Sequence, residues 1–584
     1  MSTYFNSVIR KRMILIGFVF LVWFVVILAR LVHLQIFEHA RYKSEVVDQN
    51  QKKIESEPKR GTIYDRNGRI MARSLPVPSV FFQPPKNETP AELMAEVDRI
   101  RGLLQLSEND MARIEGRIRK KDPFIWIKRK IDPAIAEKIK DLGLGSVFLK
   151  EENDRFYPMG RRAAHVLGGV DIDMKGRTGV EQEYDSVLKG EKGQVLILRD
   201  ARRRGYHVQT LKEAVAGKDI YLTIDEAIQY FAEKELEKTV AAHNADWGTV
   251  IVSNPGTGEI LAMANCPTYD PNDFPPPVEA VRNKAIQDMF EPGSTFKVVT
   301  AAAARETQSV SLTDVFDCSD GAIEVGGGSV RDHVRMGMLS FEDVLVRSSN
   351  VGTIKIASRV GEKPFFSTIL NFRFGQPTGI DLPGEAAGKV RPLDRWNRLM
   401  SLSHVAIGYE ISVTAAQLLQ AINIIANDGK HIPLRVTLNR PAGDLDRPEG
   451  PVRAFENTIS ERTARELTAV FEKAVREGTG TSAKLDGFEV AGKTGTAQIY
   501  DRALRSYVSS RHMAAFVGFV PAENPVLSMT IVINEPKGIQ QYGGQVAAPV
   551  FREIAARSLR YLHVRPRIET EPIITAKLEK VKPQ

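Results

Sequence analysis

Cysteine is nearly absent from this 584-residue chain, which holds only Cys266 and Cys318. Two thiols in so long a chain are no disulfide framework, so an apolar core must hold the fold, and both are expected as buried free thiols. The ten histidines include no His-Glu-x-x-His pair and no Cys/His ligand spacing. That predicts no structural or catalytic metal, and nothing in the sequence calls for a cofactor. After residue 37 no stretch is long and apolar enough to span a bilayer. The net charge is +8 and the pI about 9.1, but the basic excess is diffuse and is not interleaved with aromatics. A nucleic-acid partner is therefore not expected; a surface facing anionic polymers or lipids fits as well.

The N-terminus holds the one long apolar run. Residues 1–12 are polar and end in Arg10-Lys11-Arg12; Met13 to Ala29 carries no charge; Arg30 follows, and Leu31 to Phe37 is again mostly apolar. Residues 13–37 predict a transmembrane helix in which Arg30 snorkels towards the headgroups. The competing reading is a cleaved signal peptide. The length of the run and the lack of a small-x-small site after it favour an uncleaved anchor. The basic cluster before the run puts residues 1–12 in the cytoplasm and the rest outside.

Three strings carry the chemistry: Ser294-Thr-Phe-Lys297, Ser348-Ser-Asn350 and Lys493-Thr-Gly-Thr496. Ser-x-x-Lys places a hydroxyl and an amine one helical turn apart on one face. Glu291-Pro-Gly293 before it and the Val298 to Ala304 run after it mark a helix start, where backbone N–H groups favour negative charge. Ser-x-Asn adds a second hydroxyl and an amide. Lys-Thr-Gly-Thr adds a cation, hydroxyls, and a glycine that lets a ligand approach the backbone. Any one string arises by chance and reads as a solvated surface. All three in this order read as an acyl-transfer site.

Around them, Glu38 to Ser56 is polar with helical spacing and reads as a stalk. Asn67-Gly68, inside Arg60 to Gly68, predicts a hairpin turn with a structural role. Residues 87–145 read as helices of an inserted subdomain, and His165 as a structural histidine. A new domain opens near Asp219. Strands at its two ends (249–253 and 259–264; 488–500, 513–520 and 526–534) with helices between them predict an α+β domain on an antiparallel sheet, closed by a helix over 545–562. The expected boundaries are 38–218, 219–563 and a tail over 564–584.

With Arg60 to Gly68, Arg155 to Gly169, Arg282-Asn-Lys-Ala-Ile286 and the three strings in place, the chain resembles a class B penicillin-binding protein over nearly its whole length. The resemblance implies an anchor, a non-catalytic pedestal of the dimerisation type (38–218) and a transpeptidase domain (219–563) with the penicillin-recognising serine fold. It implies a bacterial inner-membrane protein that cross-links peptidoglycan stem peptides ending in D-Ala-D-Ala and is acylated by β-lactams. Asp48-Gln-Asn50 and the length are most similar to the septal division branch, penicillin-binding protein 3; the elongation branch is the alternative. Implied partners are a membrane-embedded lipid II polymerase and other division proteins. Glu410 departs from the family, which often has Gly there. No glycosyltransferase signature is present, which argues against the bifunctional class.

A serine hydroxyl needs a base, and no histidine is near Ser294 in sequence. Lys297 is the candidate, if burial and the neighbouring Lys493 lower its pKa. Ser294 would attack the peptide carbonyl, Ser348 relay a proton to the leaving nitrogen, and Asn350 hold the substrate amide. Lys493, Thr494 and Thr496 would bind the terminal carboxylate beside Gly495, with the N–H groups of Ser294 and Thr496 as the oxyanion hole. A carboxypeptidase or β-lactamase would use the same groups with an efficient water, and a catalytically idle penicillin-binding sensor or scaffold would keep only the fold.

Overall fold

The structure, a computed structural model, describes residues 2–43, 51–84, 89–199, 205–438, 456–501 and 503–567. It divides into two units: Met1–Lys59 with Gly190–Gly217, and Arg60–Lys189 with Lys218–Gln584.

In the first unit the apolar run forms the helix Ser2–Val32, which continues as a π-helical turn over His33–Phe37. Among the described residues, Ser7–Phe37 is the one helix long and apolar enough to cross a membrane. Its Leu15, Phe18, Trp23 and Phe24 stand exposed, an arrangement suited to lipid as solvent. The expected helical stalk over 38–56 is corrected. Among the described residues of this stretch, 39–43 are helical, and Gln51–Ser56 is a strand, paired antiparallel with Gly193–Arg199 from Gln51 opposite Leu198 to Ser56 opposite Gly193. Gly205–Lys212 completes this three-stranded sheet. The strand's partner lies far along the chain, and long-range pairing overrides a helical local pattern. Asp48 to Asn50, which carried the choice of branch, lie outside the described residues, as does the tail from 568.

In the second unit, Ile70–Phe82 is the axis of one sheet. Ile125–Lys128 and Val147–Phe156 pair with it antiparallel. Three helices, Pro90–Leu104, Glu108–Arg119 and Pro133–Asp141, contribute Val97, Ile100, Ile114 and Ile139 to one core with Val80, Phe82 and Ile125. Within Arg60 to Gly68, the strand Ile63–Tyr64 turns over 66–68 and pairs antiparallel with Ile70–Phe82, the hairpin that the Asn-Gly pair predicts. The Asp65 carboxylate accepts the N–H groups of Asn67 and Arg69 at 2.8 Å each. Beside it, Arg60 and Arg155 share Glu181 at 2.7 and 2.6 Å, all three side chains buried; removing one partner would strand a charge in the interior. His165 is buried, with Nε2 2.9 Å from the Ala280 carbonyl oxygen, and burial pushes its pKa down to about 4. It is neutral and outside the cavity that holds Ser294.

The rest is an α+β domain on a five-stranded antiparallel sheet in the order Ile260–Cys266, Trp247–Ser253, Leu527–Asn534, Ser506–Val520, Ala491–Asp501. Alternating side chains serve two cores. Val250, Val252, Phe516 and Ile531 pack with the helices Glu226–Ala242 and Gly543–Tyr561. Ile251, Val517 and Val532 pack with Ala415–Ala426 and Lys297–Glu306. The last strand of the order carries Lys493 to Thr496 and, among the described residues, pairs on one side only, which leaves its other edge for a ligand. Both cysteines are free thiols; Cys318 is buried and Cys266 half-buried.

Candidate active site

Local sequence decides how the serine is presented. Pro292 and Gly293 turn the chain, with Gly293 at φ +52°. Gly293–Phe296 is a 3₁₀ turn that runs directly into the helix Lys297–Glu306. Ser294 is therefore on a tight turn before the α-helix, one turn from Lys297. Two glycines allow the turn to be gripped. A Cβ on Gly408 would lie 2.1 Å from the Gly293 carbonyl oxygen, and one on Gly495 would lie 2.6 Å from Thr295 Cγ2. Side chains at either position would push the serine turn away from its walls.

The second string sits between the helices Phe341–Val346 and Asn350–Val360. Ser348 is left-handed, at φ +58°, which turns both its carbonyl and its hydroxyl towards Lys297. Lys297 Nζ donates to the Ser348 carbonyl oxygen at 2.7 Å, to Asn350 Oδ1 at 2.8 Å and reaches Ser348 Oγ at 3.3 Å. Lys493 Nζ donates to the same Ser348 Oγ at 2.9 Å and to the Thr494 carbonyl oxygen at 3.0 Å. One hydroxyl is thus within reach of two amines. Both lysines are essentially unexposed. Burial, then the charge of Lys493, holds the Lys297 ammonium well below the ordinary lysine range, with the Asp332 carboxylate opposing. Burial brings Lys493 down to about 7. A buried cation that cannot be fully paired relieves its cost by shedding the proton.

The third string alternates. Lys493 faces the helical side. Thr494 Oγ1 lies 2.6 Å from Thr479 Oγ1, and Thr496 Oγ1 accepts the Gly543 N–H at 3.0 Å. A cavity of about 690 Å³ is lined by Ser294, Ser348, Asn350, Thr496, His404 and Tyr409, among others. The structure thus brings Ser294, Lys297, Ser348, Asn350, Lys493 and Thr496 to one place. Thr494 and Gly495 lie on the same strand, Thr494 towards Thr479 and Gly495 against the serine turn. Among the described residues no hydrogen bond joins Ser294 to Lys297. Asn350, expected to hold substrate, spends its Oδ1 on Lys297 and donates its Nδ2 to the Arg331 carbonyl oxygen at 2.9 Å.

Asp332 was not legible in the sequence. Its Oδ1 accepts the N–H of Asn350 and that of Val351 (3.2 Å), and its Oδ2 accepts the Ser349 hydroxyl at 2.7 Å. Nothing in Ser329-Val-Arg-Asp-His333 marks it, because the helix it caps begins only at Asn350. Glu410, where Gly was expected, is left-handed at φ +58°. Its carboxylate accepts from Ser401 Oγ and meets His404 Nδ1, both at 2.8 Å. These contacts hold a conformation that its own side chain disfavours.

The family model for the penicillin binding protein transpeptidase domain matches residues 248–556, and that for the penicillin-binding protein dimerisation domain matches residues 55–222. The chain is 36% identical over 525 residues to the probable peptidoglycan D,D-transpeptidase PenA of Neisseria gonorrhoeae, covering 88% of this chain and 86% of that one. It is 32% identical over 510 residues to the peptidoglycan D,D-transpeptidase FtsI of Escherichia coli strain K12, covering 87% and 84%. The crystal structure of penicillin binding protein 3 from Mycobacterium tuberculosis, complexed with aztreonam, superposes with a TM-score of 0.67 at 27% identity, covering 88% of this chain and 98% of that one.

Proposed function

The chain belongs to the class B penicillin-binding proteins, and from that premise we propose that it is a peptidoglycan D,D-transpeptidase serving cell division, with Ser294 as its nucleophile. The observation that carries the chemistry is Lys297: wholly buried, depressed in pKa, and hydrogen bonded to the Ser348 carbonyl and Asn350 Oδ1 at 2.7 and 2.8 Å. A neutral amine has two N–H donors and one lone pair. Those two oxygens take the donors, which leaves the lone pair for a hydroxyl proton.

In the proposed sequence Lys297 takes the Ser294 proton as Oγ attacks the carbonyl of the D-Ala-D-Ala bond. The N–H groups of Ser294 and Thr496 receive the developing oxyanion. Ser348, bridged to both lysines, delivers a proton to the leaving D-alanine nitrogen. Lys493, Thr494 and Thr496 hold the terminal carboxylate, Gly495 packs against the serine turn, and the donor peptide lies beside the sheet edge. Asn350 releases Lys297 or Arg331 to take the substrate amide. A second stem peptide's amine then displaces Ser294. A β-lactam enters the same path and stops at the acyl-serine.

The helix over 13–37 would anchor the chain in the inner membrane with residues 1–12 in the cytoplasm. The pedestal (38–218) and transpeptidase domain (219–563) would then stand outside, the pedestal meeting a membrane glycan polymerase and other division proteins. The similarity to FtsI supports the septal role. Depletion in the parent bacterium tests it. The proposal expects filaments without septa, rescued by the parent gene and not by Ser294→Ala. Rounded cells that still divide would assign the chain to elongation.

A further inference from the structure

A second cavity, of about 540 Å³, adjoins the one that holds Ser294; Gln498 and Tyr507 line both. Its walls hold three carboxylates. Glu410 is paired with Arg391 at 3.1 Å and His404 at 2.8 Å, and Glu535 with Arg511 at 2.6 Å. Among the described residues no cation pairs with Glu291, three positions before the serine. The Tyr507 hydroxyl (3.1 Å) and the Glu410 N–H (2.9 Å) both donate to Glu291 Oε1, and no described residue donates to Oε2.

Transpeptidation needs a second substrate that a hydrolase does not: an amine, which arrives as an ammonium ion and must lose a proton before it can attack. A half-buried carboxylate fixed by two donors, with no ion pair among the described residues and lining a cavity next to the nucleophile's, has the charge and position to receive it. We propose that this cavity is the acceptor subsite and that Glu291 binds the incoming primary ammonium of the second stem peptide and takes its proton. The inference rests on the transpeptidase reading of Ser294.

The step balances. The ammonium gives one proton to Glu291, and the neutral amine attacks the acyl-Ser294 ester. The new N–C bond forms as the C–Oγ bond breaks, and the nitrogen's second proton returns to Ser294 Oγ. Glu291 then passes its proton to water. Burial, reinforced by nearby Glu410, raises the Glu291 carboxyl above its usual range, so it accepts a proton more readily than an exposed glutamate. Glu410 is shifted the opposite way, first by His404, and stays the ionised, internally paired partner.

The test uses the full chain in detergent, a thioester of an acylated D-alanine as donor and D-alanine as the amine. Transfer and hydrolysis share one acyl-enzyme, so the ratio of amide to acid product is independent of how fast that intermediate forms. Glu291→Gln is expected to lower the ratio about tenfold at fixed amine, and Glu291→Asp, which keeps the charge, to restore most of it. A ratio for Glu291→Gln within about twofold of the parent, or no amine-dependent product from the parent, overturns the inference. If no acid forms either and penicillin leaves Ser294 unmodified, the transpeptidase reading itself has failed and the subsite falls with it.

Discussion

Asp332 caps Asn350: its carboxylate accepts the Asn350 N–H and, through the other oxygen, the Ser349 hydroxyl at 2.7 Å. A residue outside all three strings therefore fixes the start of the helix that presents Ser348 and Asn350 to Lys297. The same carboxylate raises the Lys297 pKa against burial and Lys493, which lower it. Asp332→Asn keeps a capping oxygen and removes the charge. Lys297 should then be neutral to lower pH, so the acidic limb of the penicillin acylation rate should move to lower pH. Asp332→Ala loses the cap as well and should cost about 0.5–2 kcal/mol of stability. A pH profile unchanged in Asp332→Asn would remove the electrostatic half of this account.

Lys297→Arg should acylate about 10²- to 10⁴-fold more slowly than the parent, because a guanidinium keeps its proton and cannot be the base. Stopped acylation with a fluorescent penicillin measures this. A near-parent rate would exclude Lys297 as the base.

Lys493 gives a pH signature in stability. Its folded-state pKa, about 7, is below that of an unfolded lysine. Between the two values the unfolded chain binds the extra proton. Stability therefore rises with pH through that window, by up to about 1.4 kcal/mol per pH unit, and is lost as pH falls back. Lys493→Met should melt higher than the parent near neutral pH, with the advantage shrinking by about pH 9.5. An advantage that stays constant across that range would show that Lys493 does not titrate there.

Much of this site is legible in the sequence because its parts are local. Ser294 and Lys297 are one turn apart, Ser348 and Asn350 flank a helix start, and Lys493 to Thr496 lie on one strand. The sheet was readable for the same reason: its strands alternate and end in turn residues. What was not readable depends on distant partners. Gln51–Ser56 is a strand only because Gly193–Arg199 pairs with it. Asp332 and Glu291 acquire their roles from a helix start and a tyrosine elsewhere in the chain. Glu410 was visible as a departure, but its ties to Ser401, His404 and Arg391 needed the fold.

Gly408 tests the packing of the serine turn. It sits at φ +84° with Gly293 against its Cα, so Gly408→Ala meets both backbone strain and a clash. A loss of about 1–3 kcal/mol is expected, with acylation slowed more than by a surface Gly→Ala change at Gly116, where an added Cβ meets nothing within 4 Å. Equal effects would mean that the turn is not held by this contact.

Ser294 is the residue that the proposed mechanism acylates. Mass spectrometry of the full chain after reaction with penicillin reads that out directly. One adduct is predicted, on the peptide that contains Ser294, and it should vanish in a folded Ser294→Ala protein. An adduct on any other residue, or none on a folded parent protein, would contradict it.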